Sequence, residues 1–386
     1  MILRYEPWGA WAKLESPPAL VALDRDAVRA IGFDGGEAWS DVAPPRPSAP
    51  IEVHVAVTSR CAAGCTGCYL DARPDGHEPA RETIVAALDA LARAGVFTVA
   101  FGGGEPTTRE DLDLLAAAAR ERGITPVLTT SGLGLGADDA ERLRGFAQVN
   151  VSYDGASEAY ARVRGFDGAR HAETAIEALS RAGVPVGVNV VLTRDTFDAL
   201  EATLERARAL GAREAQLLRY KPAGRAASLD YLARRLTPEQ GRSLGPLLRR
   251  LALRNASGAF RVRIDCALVP FLSADPTIDA AMLARFGVLG CEGGEALAAL
   301  RVDGYLAPCS FAEPTASVAG DLAQPGHLDP ELAKWRAWNA SPPEPCASCA
   351  LRPVCRGGCK VVARHVDGAH GSDPECPRVR DHRGRA

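Results

Sequence analysis

From Ile51 onward the chain alternates short apolar runs with longer amphipathic stretches. The apolar runs are Ile51–Val57, Phe97–Phe101, Pro126–Thr130, Gln148–Ser152, Val184–Leu192 and Glu214–Arg219, each short and β-branched enough to predict a strand. Between them, Glu82–Ala94, Glu110–Arg122, Ala137–Phe146, Ala169–Ala182 and Phe197–Leu210 carry apolar residues three and four apart, the spacing of one helical face. A further helix is predicted over Pro238–Arg254. Strands that alternate with helices in this way become parallel neighbours joined by right-handed crossovers. The pattern predicts an α/β fold and leaves open whether the sheet is doubly wound or closed toward a barrel.

The flanks read differently. Trp8–Leu14 and Ala19–Leu23 lie either side of Pro17-Pro18, with a short helix expected from Asp26, so a hairpin plus helix is predicted. Ala43–Pro50 is proline-rich and predicts an extended linker. Beyond about residue 260 long apolar runs are few, Gly and Pro are frequent and cysteines gather. A segment with so little apolar material needs another source of cohesion, which bound metal supplies. The expected units are residues 1–50, 51–255 and 256–386.

Composition narrows the function. With 386 residues, 47% of them hydrophobic and 24% charged, the chain is long enough for a large core and a smaller domain. A formal net charge of -3 gives no electrostatic case for nucleic acid or an acidic membrane as partner. No apolar run is long enough to span a bilayer, and Met1–Ala10 lacks the basic start and apolar run of a secretory signal, so a cytoplasmic location is expected. In a reducing compartment the 11 cysteines, closely spaced in two groups, point to metal or redox chemistry rather than disulfides.

The first group, Cys61-x3-Cys65-x2-Cys68, follows directly on the first predicted strand of the alternating unit. Three thiolates on one loop hold three irons of a cubane and leave the fourth open to a ligand. A zinc site is the competing reading, although zinc takes four donors, usually as pairs two residues apart. This loop resembles the signature of the radical S-adenosylmethionine (SAM) superfamily, which implies a partial (β/α)6 barrel, a SAM-binding 4Fe–4S cluster and a 5'-deoxyadenosyl radical. The resemblance extends from about residue 51 to 225. By it, Gly103, Gly104 and Glu105 match the glycine-rich motif that receives the methionine amino group. Ser152 and Asp154 match the ribose-side segment, Arg164 the partner of the cofactor carboxylate, and Asn189 a cofactor-facing position. Two positions depart: the residue before the third cysteine, usually aromatic and set against adenine, is Gly67, with Tyr69 the candidate substitute, and Ser131 replaces a common asparagine.

The second group runs Cys291, Cys309, Cys346, Cys349, Cys355, Cys359 and Cys376. A zinc ribbon would explain only the middle four. The full series resembles the SPASM extension of radical SAM enzymes, which carries two auxiliary 4Fe–4S clusters, three clusters in all. That resemblance implies Cys291, Cys309 and Cys359 on the first auxiliary cluster, and Cys346, Cys349, Cys355 and Cys376 on the second. The first then lacks a fourth ligand, and in anaerobic sulfatase maturases an extra cysteine soon after the first supplies one. None lies between 291 and 309; the remaining thiol is Cys266, which could be that ligand, a catalytic thiol donor or a buried strand cysteine.

The function implied is radical maturation of a ribosomal peptide by cross-link, thioether or epimerisation, with a peptide or protein substrate and a flavodoxin- or ferredoxin-type electron donor. Formylglycine formation of the sulfatase-maturase type is an alternative, and a non-catalytic electron carrier or zinc scaffold is a third reading from another class. Residues 1–42 suggest either an edge for an extended peptide or a lid or plug on the barrel.

Overall fold

The computed structural model describes residues 1–42, 46–228, 230–255, 258–323, 329–369 and 371–385, so part of the expected linker, residues 43–45, lies outside the described residues. The strands are β1 (Ile2–Glu6), β2 (Gly9–Glu15), β3 (Pro18–Asp24), β4 (Glu52–Thr58), β5 (Thr98–Gly103), β6 (Thr125–Thr130), β7 (Val149–Ser152), β8 (Val186–Leu192), β9 (Glu214–Arg219), β10 (Arg261–Ile264), β11 (Leu297–Leu300) and β12 (Leu306–Ala307). The six predicted strands are β4 to β9, lying side by side in chain order. They pair in parallel throughout, as helical crossovers require.

The sheet does not end there. β10 pairs in parallel with β9 and β11 in parallel with β4, and β12 runs antiparallel to β11, giving nine strands in the order β10-β9-β8-β7-β6-β5-β4-β11-β12. Among the described residues the margins are not hydrogen-bonded to one another, so the barrel stays open. Burial opposes the Glu52 charge on β4, but His54 and, from β10, Arg263 outweigh it and hold the carboxyl below its ordinary range.

Burial alternates along these strands. Val53, Val55 and Val57 of β4 are buried against the helices, while Glu52, His54 and Ala56 are half-exposed on the other face. The same alternation leaves Ala100, Gly102, Val127, Thr129, Asn189, Val191, Gln216 and Leu218 half-exposed. One face is therefore a packed core and the other lines an open interior. The helices present their apolar stripes to the packed face: Ile84, Leu88 and Leu91 from Arg81–Arg93, Leu112 and Leu115 from Leu112–Glu121, and Ile176 and Leu179 from Ala169–Arg181. Fully burying each such side chain is worth about 1.5–3 kcal/mol.

The N-terminal element is a three-stranded meander, β1-β2-β3, followed by the helix Arg25–Ala30, one strand more than the expected hairpin. Arg4 donates to the carbonyls of Pro50 and Gly95, and Lys13 to that of Gly123. Those residues precede β4, β5 and β6, so the meander sits at the N-terminal end of the barrel, away from the cysteine loop that follows β4.

The C-terminal residues contain helices Pro330–Ala340, Lys360–Asp367 and Pro377–Arg383 among loops. A buried ionic network ties them to the barrel. Arg219, at the end of β9, donates to both oxygens of Asp373 (2.5 and 3.1 Å) and to Glu375 (2.8 Å), and Tyr231 and Arg235 donate to the other Glu375 oxygen, each at 2.8 Å. Burial disfavours the guanidinium charge, but the two carboxylates outweigh it and raise Arg219 well above its ordinary pKa.

Candidate active site and cysteine clusters

Cys61, Cys65 and Cys68 lie half-exposed on the loop after β4, at the C-terminal end of the parallel sheet. Three segments hold this loop. The glycine segment after β5 is pressed against it: Gly104 N–H donates to Thr58 O at 2.7 Å and Glu105 N–H to Arg60 O at 2.8 Å. A Cβ on Gly104 would lie 2.1 Å from Arg60 O, and one on Gly103, whose φ is +117°, 2.2 Å from Thr58 O. These are close approaches that glycine alone permits. The second segment is the end of helix Ser157–Arg164, where Arg164 O accepts from Thr66 N–H at 3.0 Å and Gly165 abuts Thr66. The third follows β9: Arg225 donates to Cys65 O, Ala72 O and Asp71, and its N–H donates to Cys68 O.

Glu105 is buried and heavily hydrogen-bonded. One oxygen accepts from Thr107 N–H and from the hydroxyls of Thr107 and Thr130; the other accepts from Ser131 N–H and Ser131 Oγ. Hydroxyls rotate, so the Thr and Ser partners can turn away from this oriented carboxylate and leave its oxygens to another donor. Asp154, fully buried, accepts from Arg164 Nε at 2.6 Å and from Val191 N–H at 2.7 Å. Burial opposes the Arg164 charge, but Asp154 and Tyr160 outweigh it and push arginine above its usual value. Ser152 on β7 is paired in register with Asn189 on β8, so both stand at the same level of the interior wall. Tyr69 packs its ring on Phe311, with centroids 4.8 Å apart, and burial pushes its hydroxyl up to about 12. Gly67 leaves room that another aromatic takes: a Cβ there would lie 3.0 Å from the ring of Tyr220.

Cys291, Cys309 and Cys359 share one apolar cluster with Tyr220, Phe311 and Trp335. Burial pushes Cys309 up to about 12, and the neighbouring Cys291 and Cys359 add to the rise. Cys266 lies within electrostatic reach of Cys291 and Cys359. Burial raises its pKa most, then Asp265, then Cys291, with Cys359 also contributing. Its thiol donates to Asp265 at 3.1 Å, and Asp265 is ion-paired with the buried Lys221, whose ammonium lies 4.2 Å from the centre of the Phe311 ring.

Cys346, Cys349, Cys355 and Cys376 line a single cavity walled by Pro270, Pro345, Leu351 and Val379. Cys346 donates to Ser372 Oγ at 3.2 Å, and Cys376 lies 3.3 Å from Ser273 Oγ. Gly290 approaches this set so closely that a Cβ would stand 2.1 Å from Cys355 O. Four thiols around one cavity match in number the donors that a cubane cluster takes. Among the described residues, no three His, Cys, Asp or Glu side chains close on a single-ion site. Burial holds the thiols of Cys291, Cys309, Cys355, Cys359 and Cys376 above their ordinary range, so metal binding there would release protons.

Sequence reasoning had no signal for Tyr220, Arg225, Thr130 or His54, because each acts through a neighbour distant in the chain. Their common mark is position at or beside a strand that borders the interior.

Residues 55–207 match the family model described as the radical SAM superfamily. The chain is 30% identical over 362 residues to the PqqA peptide cyclase of Ruegeria pomeroyi, covering 90% of this chain and 91% of that one. It is 29% identical over 345 residues to the mycofactocin maturase MftC of Mycolicibacterium smegmatis, covering 85% and 83%. Its fold is that of Streptococcus suis SuiB bound to S-adenosylmethionine, with a TM-score of 0.74, 18% identity and coverage of 97% and 98%. Among the described residues no helix is long and apolar enough to cross a membrane. With a matching domain, a relative aligned along nearly its whole length and a cysteine loop at the open end of a parallel barrel, the chain belongs to the radical SAM superfamily, as an enzyme with a cysteine-rich C-terminal extension of the SPASM type.

Proposed function

We propose that this cytoplasmic enzyme oxidatively modifies a ribosomally made precursor peptide, using three 4Fe–4S clusters. Cys61, Cys65 and Cys68 would hold the cluster that binds SAM, with Glu105, Asp154 and Arg164 orienting the cofactor and Ser131, Ser152, Asn189 and the Gly103-Gly104 backbone around it. Cys291, Cys309 and Cys359 would hold the first auxiliary cluster with Cys266 as its fourth ligand, a choice favoured by the Cys266 thiol lying within electrostatic reach of two of them. Cys346, Cys349, Cys355 and Cys376 would hold the second. When bound, SAM and its cluster supply a hydrogen-abstracting 5'-deoxyadenosyl radical. The protein binds and orients both reactants and keeps water from the interior.

The observation that carries the reading is the half-exposed interior face of β4 to β9, leading to the three-thiol loop. An electron carrier has no use for such a channel; a peptide-modifying enzyme needs one. The peptide class is favoured by the relatives, which include a PqqA peptide cyclase and a mycofactocin maturase, and by SuiB, whose fold is shared and has been solved bound to the precursor peptide SuiA. Reducing electrons would come from a flavodoxin or ferredoxin. The test is anaerobic incubation of the iron-loaded enzyme with SAM, a reductant and the short peptides encoded beside its gene, read by mass spectrometry. A modified peptide with matching 5'-deoxyadenosine supports the reading. Formylglycine on a sulfatase peptide, or no cleavage of SAM, contradicts it.

A further inference from the structure

We propose that Lys360 is the shared counter-ion of the two auxiliary clusters, a buried fixed charge between them that raises the reduction potential of both; this rests on the cluster assignment above. The turn Cys355-Arg-Gly-Gly-Cys359 joins the second thiol set to the first. Arg356, Gly357 and Gly358 all have positive φ (53°, 78° and 78°), so the chain reverses between the two cysteines. Lys360 Nζ is drawn back into that reversal. It donates to Arg356 O at 2.6 Å and more weakly to Gly358 O at 3.5 Å, the carbonyls next to Cys355 and Cys359. It also lies 3.9 Å from the centre of the Trp338 ring, which packs against Gly357.

Local structure gives no reason for a lysine here. Residue 360 opens the helix Lys360–Asp367, and the dipole at a helix N-terminus disfavours a cation. Lys360 is only 2% exposed, so its ammonium has given up nearly all contact with water. Burying a charge is costly unless an opposite charge faces it. The other buried cations beside the thiols have such partners: Arg219 has Asp373 and Glu375, and Lys221 has Asp265. Among the described residues no carboxylate pairs with Lys360. The nearby acids are committed elsewhere, Asp373 to Arg219 and Cys359 N–H, and Glu292 to Arg356. Carbonyls and a ring face solvate an ammonium without neutralising it. The groups left to face it are the thiols of both sets. Burial raises Cys291 in the first set and Cys346 and Cys355 in the second, and the Lys360 charge offsets part of that rise in all three.

A cubane held by thiolates is net negative and gains one more negative charge when it takes up an electron. A fixed cation beside it stabilises the reduced form more than the oxidised form, so its potential rises. Because Lys360 stands between the sets, it acts on both. Electrons therefore settle on the C-terminal pair in preference to the Cys61 loop. Lys360 positions the electron without touching substrate.

The test is a potentiometric titration of the full, iron-loaded chain, followed by electron paramagnetic resonance. It compares wild type with Lys360→Gln, Lys360→Met and Lys360→Arg. The signal that SAM perturbs marks the Cys61 loop, and the two that it leaves alone mark the auxiliary clusters. In Lys360→Gln and Lys360→Met both auxiliary midpoints should fall. At a fixed potential the ratio of reduced to oxidised cluster should drop about tenfold in each, equal to about 59 mV for one electron. The SAM-sensitive midpoint should stay where it is, and Lys360→Arg should keep all three near wild type. Unmoved auxiliary midpoints, or a fall in one alone, overturn the shared counter-ion. If the neutral variants shed auxiliary iron, Lys360→Arg decides: iron retained there supports the role of the charge, and iron lost there too overturns it. Fewer than two SAM-indifferent clusters in wild type overturns the cluster assignment itself, and this inference with it.

Discussion

Gly104 shows how one residue governs the active-site loop. Its missing side chain lets the backbone after β5 lie against Arg60, one residue before Cys61. Gly104→Ala should cost about 1–3 kcal/mol of stability through overpacking and weaken SAM binding, measurable by denaturant unfolding and by equilibrium binding of SAM; an alanine variant that binds SAM as wild type does would contradict the packing described. Asp154 is the second lever. Asp154→Asn keeps the shape but removes the charge that holds Arg164, so SAM affinity should fall while iron in the C-terminal sets is retained. The glycine motif and the cysteines were legible in the sequence because their spacing is local. Tyr220, whose ring fills the space above Gly67, was not, since nothing near position 67 names a partner 153 positions later.

At the scale of elements, β4 to β9 were legible because each buries one face and repeats the two-residue alternation; Glu214–Arg219 was bounded correctly at both ends. β10 and β11 were not. Each is four residues long and becomes a strand only by adding to a sheet margin, a nonlocal event that a short run cannot advertise. The helix Pro330–Ala340 also escaped notice, for its apolar residues form no single stripe. It packs Leu332 against Gly294 and Trp335 against Gly293, just after Cys291, and Trp338 against Gly357, between Cys355 and Cys359. Asp329 caps it, accepting from Glu331 N–H and Leu332 N–H, with Ser317 Oγ on its other oxygen. Burial opposes the Asp329 charge, but these donors outweigh it and hold the carboxyl below its ordinary range. The charge therefore stabilises the fold fully above the unfolded value of about 3.9, and that contribution is lost as pH falls through the lower folded value. Asp329→Ala should cost about 0.5–2 kcal/mol at neutral pH, with the gap to wild type closing in acid; unfolding midpoints at both pH values check this, and a gap that ignores pH would count against it.

For the whole molecule, buried ionic contacts join the C-terminal residues to the barrel, beside apolar packing from Leu268, Phe271, Leu351 and Val354. Arg219 couples β9 to Asp373 and Glu375, which lie just before the last cysteine, Cys376. Arg219→Ala leaves Asp373 buried without its cation and Glu375 with Arg235 alone, a loss of about 3–5 kcal/mol, and should release iron from the second auxiliary set before the barrel unfolds, as followed by visible absorbance alongside circular dichroism. The three thiol sets are spatially separate, so replacing Cys61, Cys65 and Cys68 with alanine should abolish SAM cleavage and leave the C-terminal iron bound. The central claim is that the cluster on that loop has an iron free to take SAM. Electron paramagnetic resonance of the reduced, iron-loaded protein tests it most directly. Addition of SAM should change one cluster's signal, and that signal should be missing from the triple alanine variant; a spectrum indifferent to SAM, or a fourth protein donor on that iron, would contradict the account.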